Sequence, residues 1–322
     1  RQALLDSLEI HTWSKRKRTE AQRRPEGPRE YESFAPRADN RWKLVPIEHE
    51  GGFESWPALD ELFSEAAFQG VNPNRGLQGS IVELDPNTLR RRMRDYFSEV
   101  SFAELAQRHP VLCRPRARYD PEHTRERLRT VSEFRNEGIV PYVVFPLDIR
   151  WIYYETEAKL LNERRPELWD NLSENEFLVT VPQPRQYSEI RPLRATTLFD
   201  LHLHDRGSVA FPAAVRPRLG DDDLLVINGQ LPDQVANIAP EAWDVLKTRW
   251  RLKGNRAQET AKDFVRDLIR VCLALCHAPQ YEHDHKDSLA QDWAHVPIPK
   301  KKRLFNRIAK AGEQVAILLD PA

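Results

Sequence analysis

The chain has 322 residues, of which 40% are hydrophobic and 30% charged, enough to bury a sizeable core in one large domain or two tightly joined ones. No apolar run approaches the ~20 residues a membrane-crossing helix needs, and no signal-peptide pattern opens the chain. Formal net charge is +0, which argues against an indiscriminate polyanion binder.

Arg outnumbers Lys about three to one. Arg carries the planar fork that pairs with guanine edges and phosphates, although codon usage in a GC-rich genome gives the same bias with no function attached. Cys113, Cys272 and Cys276 form neither a metal spacing nor an even disulfide framework, which fits a reducing, cytoplasmic setting.

The chain opens at Arg1 with Ala3-Leu4-Leu5-Asp6-Ser7-Leu8, which reads as the tail of a helix already under way and predicts a longer parent. Residues 14–43 are charge-dense and proline-bearing, so residues 1–56 read as a linker or arm. A helix is expected over 58–68, carrying Leu59, Leu62, Phe63 and Phe68, then a Gly/Asn/Pro loop over 70–79 and a strand at 80–84. Asp85-Pro86 supplies an N-cap and a first-turn proline for a helix whose Leu89, Met93, Tyr96 and Phe97 share one face. Arg90, Arg91 and Arg94 point elsewhere, flanked by Arg92, with few acidic neighbours; they are the best local candidates for phosphate contact.

Ser101 to Glu104 spells a capping box, and Asp120-Pro121 opens a second helix expected to run to 136 and close at Gly138. Strands are expected at 139–145, 149–154, 176–181, 196–204, 208–212 and 223–227. Helices follow at 240–252, 257–277, 279–286 and 300–318. The pattern predicts an α+β fold with a mixed or largely antiparallel sheet and flanking helices. It divides into an α+β core over 57–230 and a helical C-terminal subdomain over 231–322.

Two catalytic readings present themselves. Asp148, Glu157 and Lys159 carry the residue types of a metal-dependent nuclease, but so short an interval hardly allows two adjacent strands to bring them together. His202 and His204 fall on one face of an expected strand, as zinc ligands do, with His283 and His285 as further donors. The spacing to Asp205 departs from metallo-hydrolase patterns. Neither Asn72-Pro73-Asn74 nor Asp85-Pro86-Asn87 continues as the Asn/Asp-Pro-Pro-aromatic motif that holds a flipped base. No Gly-rich loop offers an S-adenosylmethionine site.

The most informative stretch is Phe145-Pro146-Leu147-Asp148-Ile149-Arg150-Trp151-Ile152-Tyr153-Tyr154, an aromatic strand segment built around one Asp and one Arg. Together with Asp200-Leu201-His202-Leu203-His204 leading to Phe211-Pro212, Cys276-His277-Ala278-Pro279-Gln280-Tyr281, and Val296-Pro297-Ile298-Pro299 before a last helix, it resembles the C-terminal specificity domain of type ISP and related type IIG-like single-chain restriction–modification DNA methyltransferases. Gly70-Val71-Asn72-Pro73-Asn74-Arg75 sits where that family tends to have Gly-Val-x-Thr-x-Arg-Asp; the Thr and the final Asp are missing here.

The resemblance implies a target-recognition module for double-stranded DNA, non-catalytic by itself. It implies a parent chain with an upstream methyltransferase domain that modifies adenine N6 using S-adenosylmethionine, with Mg²⁺ and ATP where nuclease and translocase domains are present. Within this chain no cofactor is expected. Arg90, Arg91 and Arg94 would take phosphates, and Asn72, Asn74 and Arg75 would approach base edges. Arg150, Arg185, His202 and Arg206 are further candidates. A metal-dependent nuclease and a protein-interaction scaffold are the rival readings.

Overall fold

The segment around Trp151 forms an antiparallel hairpin, β3 (Ile139–Phe145) and β4 (Asp148–Tyr153). The computed structural model describes residues 52–64, 67–181, 191–204, 207–216, 233–250, 257–290 (side chains from 261) and 292–319. These lie in one unit spanning Ile47–Ala322. Ordered packing is already present at Phe53, which is fully buried, inside the stretch read as an arm. The expected strand at 223–227 lies outside the described residues.

The hairpin is the centre of a four-stranded mixed sheet ordered β2-β4-β3-β7, with β2 at Val82–Glu83 and β7 at Leu198–Phe199. Only the β3–β7 pairing is parallel. A second four-stranded sheet, antiparallel throughout, runs β1-β8-β5-β6, from Phe68–Gln69, Val209–Pro212, Phe177–Thr180 and Leu193–Ala195. A short pair joins β9 (Ala214–Val215) to β10 (Val235–Ala236).

The second sheet is covered on both faces. Side chains alternate along a strand, so Phe177, Val179 and Ala210 enter one apolar core with the hairpin sheet. Leu178 and Phe211 enter another with the C-terminal helices. This explains why Phe177-Leu178-Val179 reads as an unbroken apolar run rather than an alternating one.

Nine helices are described: α1 (Leu59–Leu62), α2 (Pro86–Phe97), α3 (Phe102–Arg108), α4 (Pro121–Val131), α5 (Pro166–Asp170), α6 (Pro240–Trp250), α7 (Ala257–Cys276), α8 (Pro279–Leu289) and α9 (Lys302–Leu319). The expected N-caps form, although the capping box at Ser101 is half made because the Glu104 carboxylate turns to Arg108. Asp85 accepts from the amides of Asn87 and Thr88, Asp120 from that of His123, and Ser101 from that of Glu104. The end of α2 is closed from a distance: Arg125 donates to the carbonyls of Tyr96 at 2.7 Å and of Ser98 and Val100 at 2.8 Å, satisfying groups a helix end leaves bare.

Three expectations change. The helix foreseen over 58–68 stops at Leu62, because Phe68 is drawn into β1 opposite Ala210. The helix foreseen to 136 ends at Val131, and a separate 3₁₀ turn occupies Asn136–Gly138. The strand foreseen over 196–204 ends at Phe199. Beyond it the chain turns, because the buried Asp200 carboxylate accepts the amide of His202 at 2.7 Å and the hydroxyl of Tyr142.

At the C-terminal end, α7 buries Phe264, Val265, Leu268, Ile269 and Cys272, the stripe expected from its 3.6-residue period. It meets α9 through Ala309, Gly312 and Ala316, all buried. A Cβ on Gly312 would collide with the backbone carbonyl of Arg270; only glycine allows the two helices to come this close.

Candidate nucleic-acid interface

Two loops, 72–80 and 110–119, meet beside the β3–β4 hairpin. Arg150 ties the first of them to β4, at the foot of the hairpin tip 145–147. Its Nε and Nη2 grip the Asp148 carboxylate at 2.9–3.2 Å, and its Nη1 donates to the carbonyl of Leu77 at 3.0 Å. The bond to Asp148 holds the Arg150 guanidinium above its ordinary pKa, with burial opposing. Arg116 reaches toward the carbonyl of Arg75 at 3.5 Å, and Val111 packs over Gly79.

Arg75 is buried, at 5% exposed. It donates to the carbonyls of Leu160 (3.1 Å), Lys159 (2.9 Å) and Asn74 (3.2 Å) and lies 3.4 Å above the centroid of the Tyr119 ring. Burial pulls its guanidinium below the ordinary value, while Tyr119 beside it works the other way. With its donors used inside the protein, Arg75 fixes the loop rather than facing outward. Asn74 is exposed with φ 50. Asn72 exchanges backbone hydrogen bonds with Glu163 at 3.1 and 2.9 Å.

The arginines of α2 divide. Arg92 is buried, paired to Glu83 at 2.6 Å and to the carbonyl of Ser80 at 2.8 Å. Arg90 turns to Asn136 at 2.6 Å and to Asn87, Arg91 to Thr88 at 3.3 Å, and Arg94 lies 5.5 Å from the Phe134 ring centroid. Arg94 lines a hollow of about 360 Å³ shared with Glu99, Glu133 and Arg129, acidic company that weakens its pull on phosphate. Arg90 and Arg94 therefore face the 134–136 segment, whereas Arg75 and Arg150 face the 72–80 loop.

His202 is exposed on the turn after β7, while the His204 ring lies at 3.3 Å from the carbonyl of Val179. The two imidazoles do not share a strand face, and among the described residues no cluster of three or more His, Cys, Asp or Glu could hold a metal ion. Arg185 and Arg206 lie outside the described residues. The nuclease reading loses its geometry: Arg150 occupies the Asp148 carboxylate, while Glu157 and Lys159 are exposed on an irregular stretch past the end of β4.

Sequence reasoning passed over Arg114, Arg116 and Arg118, all exposed on the turn that leads to Tyr119. The signal was present, since Arg114-Pro115-Arg116-Ala117-Arg118 puts three guanidiniums in five residues with no acid among them.

The fold and this surface make an α+β domain: two sheets bearing an arginine-rich set of loops beside one hairpin. The sequence matches the family model of the Type ISP C-terminal specificity domain over residues 69–319, and the chain belongs to that family, which serves restriction–modification enzymes. Three solved structures share the fold. The cryo-EM structure of a DrdV–DNA complex superposes with a TM-score of 0.56 at 17% identity, covering 90% of this chain and 28% of that one. The ATP-dependent Type ISP restriction-modification enzyme LlaBIII bound to DNA gives 0.54 at 16%, covering 84% and 17%. A nuclease-deletion mutant of the Type ISP enzyme LlaGI, in complex with a DNA substrate mimic, gives 0.52 at 12%, covering 90% and 25%. This chain thus spans between 17% and 28% of those proteins. No curated relative matches it in sequence.

Proposed function

We propose that this chain reads a specific sequence in double-stranded DNA for a restriction–modification enzyme. The observation that carries the reading is its membership of the specificity-domain family over residues 69–319. Exposed arginines on loops braced by buried ones support it, because affinity for duplex DNA comes largely from phosphate contacts and sequence choice from a few fixed side chains.

The parent enzyme, in this reading, methylates adenine N6, with S-adenosylmethionine held by a methyltransferase domain upstream, and works in the cytoplasm. Mg²⁺ and ATP would serve nuclease and translocase parts of the same enzyme. The described residues do not suit S-adenosylmethionine: no strand runs into a Gly-rich turn opening a helix, the arrangement that would seat it. Its chemistry is therefore assigned to the upstream domain, and this chain's part is to position DNA.

The test is binding of the 322-residue chain to fluorescent duplexes across a salt series, followed by selection from a random-sequence pool. Affinity should fall steeply with salt, as counterion release requires, and selection should converge on one motif. Salt-independent affinity, or a pool that stays random, would sink the reading.

A further inference from the structure

We infer, building on the DNA-recognition reading, that the basic turn Arg114–Arg118 and the apolar hairpin tip Phe145–Leu147 form one DNA-contacting ridge. In it the arginines hold phosphates and Leu147 wedges into a base step.

The tip is unusual for its place. Phe145 is 47% and Leu147 61% exposed, although tight hairpin turns favour Asn, Asp and Gly. Leu147 also has φ 65, in the left-handed region where Asn or Gly would sit more easily. An exposed, backbone-strained leucine next to an exposed phenylalanine is a poor choice for stability or solubility, and strain held in this way points to a contact made elsewhere.

The tip is also braced at its base and electrically suited to a polyanion. Asp148, the first residue after it, would repel phosphate, but Arg150 covers that carboxylate and ties the strand to Leu77. A wedge needs such bracing, because the energy to unstack a step must come from a side chain that does not yield.

The cations touch the same loop that receives Arg150. Arg114, Arg116 and Arg118 are exposed; among the described residues none has an acidic partner. The turn is closed by reciprocal backbone bonds between Arg116 and Tyr119 at 3.2 and 3.0 Å, and the Tyr119 ring is pinned beneath Arg75. Gly76 lies beside the Arg116 guanidinium, and the next residue, Leu77, receives Arg150. One short loop thus carries the cation turn at Arg75 and Gly76 and, at Leu77, the arginine that braces the base of the apolar tip. Charge on the rim with apolar side chains at the crest is the chemistry of proteins that kink DNA by inserting between bases.

The experiment uses a duplex that the wild-type chain selects from a random pool, carrying 2-aminopurine at successive positions. Wild type should raise 2-aminopurine fluorescence at one step. Leu147→Asn should abolish that rise and weaken binding on the order of tenfold, while its melting temperature holds or increases because Asn tolerates the φ. Arg114→Gln with Arg118→Gln should weaken binding to selected and random duplexes alike and reduce the salt slope by about two units. If wild type binds its duplex and these variants match it in slope and fluorescence, the ridge is wrong while the DNA reading stands. If wild type binds no duplex, both fall. If Leu147→Asn instead releases a protein partner and leaves DNA binding intact, the tip is a protein contact and the inference is overturned.

Discussion

Arg150 closes on Asp148 two residues earlier, on the same face of β4, with three nitrogen–oxygen contacts of 2.9–3.2 Å. The pair shapes the hairpin it belongs to. Arg150→Ala should therefore cost about 2 kcal/mol, the loss expected when charge-assisted hydrogen bonds are removed. Chemical denaturation of the variant checks this, and a retained preference for the selected DNA motif would mark Arg150 as a brace. A stability loss under about 0.5 kcal/mol with relaxed sequence choice would instead make it a reader.

Neighbouring arginines of α2 should behave oppositely. Arg92→Ala leaves the Glu83 carboxylate buried without its partner and should destabilise by about 3 kcal/mol or more. Arg91→Ala, at an exposed site with one weak bond to Thr88, should stay within about 0.5 kcal/mol. Paired urea melts distinguish the two, and equal effects would contradict the burial of Arg92.

Gly312→Ala should be among the most damaging single-methyl changes in the chain. The added carbon meets backbone, the carbonyl of Arg270, so no side-chain rotation relieves it. Helices α7 and α9 would have to move apart, and overpacking of this kind costs about 1–3 kcal/mol or more. Ala311→Gly, on an exposed position of the same helix, is the control, with a propensity loss of about 1 kcal/mol. A thermal melt ranking the two the other way would disprove the close helix approach.

Acid should loosen the fold in two stages. Burial pushes the His204 imidazole down to about 4, helped by His277, while the Val179 carbonyl works in the other direction. The unfolded chain protonates this residue near about 6.5, so its contribution is full above that pH and is lost as pH falls toward about 4. Glu83 follows. Burial would raise its carboxyl, but the Arg92 bond and the Leu84 and Gly79 amides outweigh it and hold it low. Its contribution is present above the ordinary carboxylate range and disappears below it. In His204→Gln the first stage should shrink to the part left by His277, whose imidazole burial also pushes down, and the second should remain, as read by denaturant midpoints across pH. If the first stage keeps its full size, His204 is not responsible for it.

Local chemistry was legible in the sequence. Asp85-Pro86 and Asp120-Pro121 start helices because the cap and the proline act within one turn, and the aromatic hairpin announced itself by period. What distant chain decides was not legible. Nothing near Phe68 reveals that it pairs with Ala210, so the helix seemed to continue. The fate of each arginine was equally hidden. Arg75 is taken in by carbonyls 84 and 85 residues away, and Arg125 by the end of α2, while Arg114 and Arg118 stay outside. A guanidinium in a charged run looks the same whether it will brace a loop or meet a ligand.

The double-faced sheet has a consequence for how such a domain can change. Leu178 and Val179 look into different cores, so β5 works as a party wall, and neither side can be remodelled without disturbing the other. Cutting the chain between Arg216 and Asp233 would leave each piece with a bare apolar surface, so the two halves should melt together rather than one outliving the other. If the chain reads DNA as proposed, new preferences would have to arise at the rim, by exchanging residues such as Asn74 and Leu147, while the wall stays as it is.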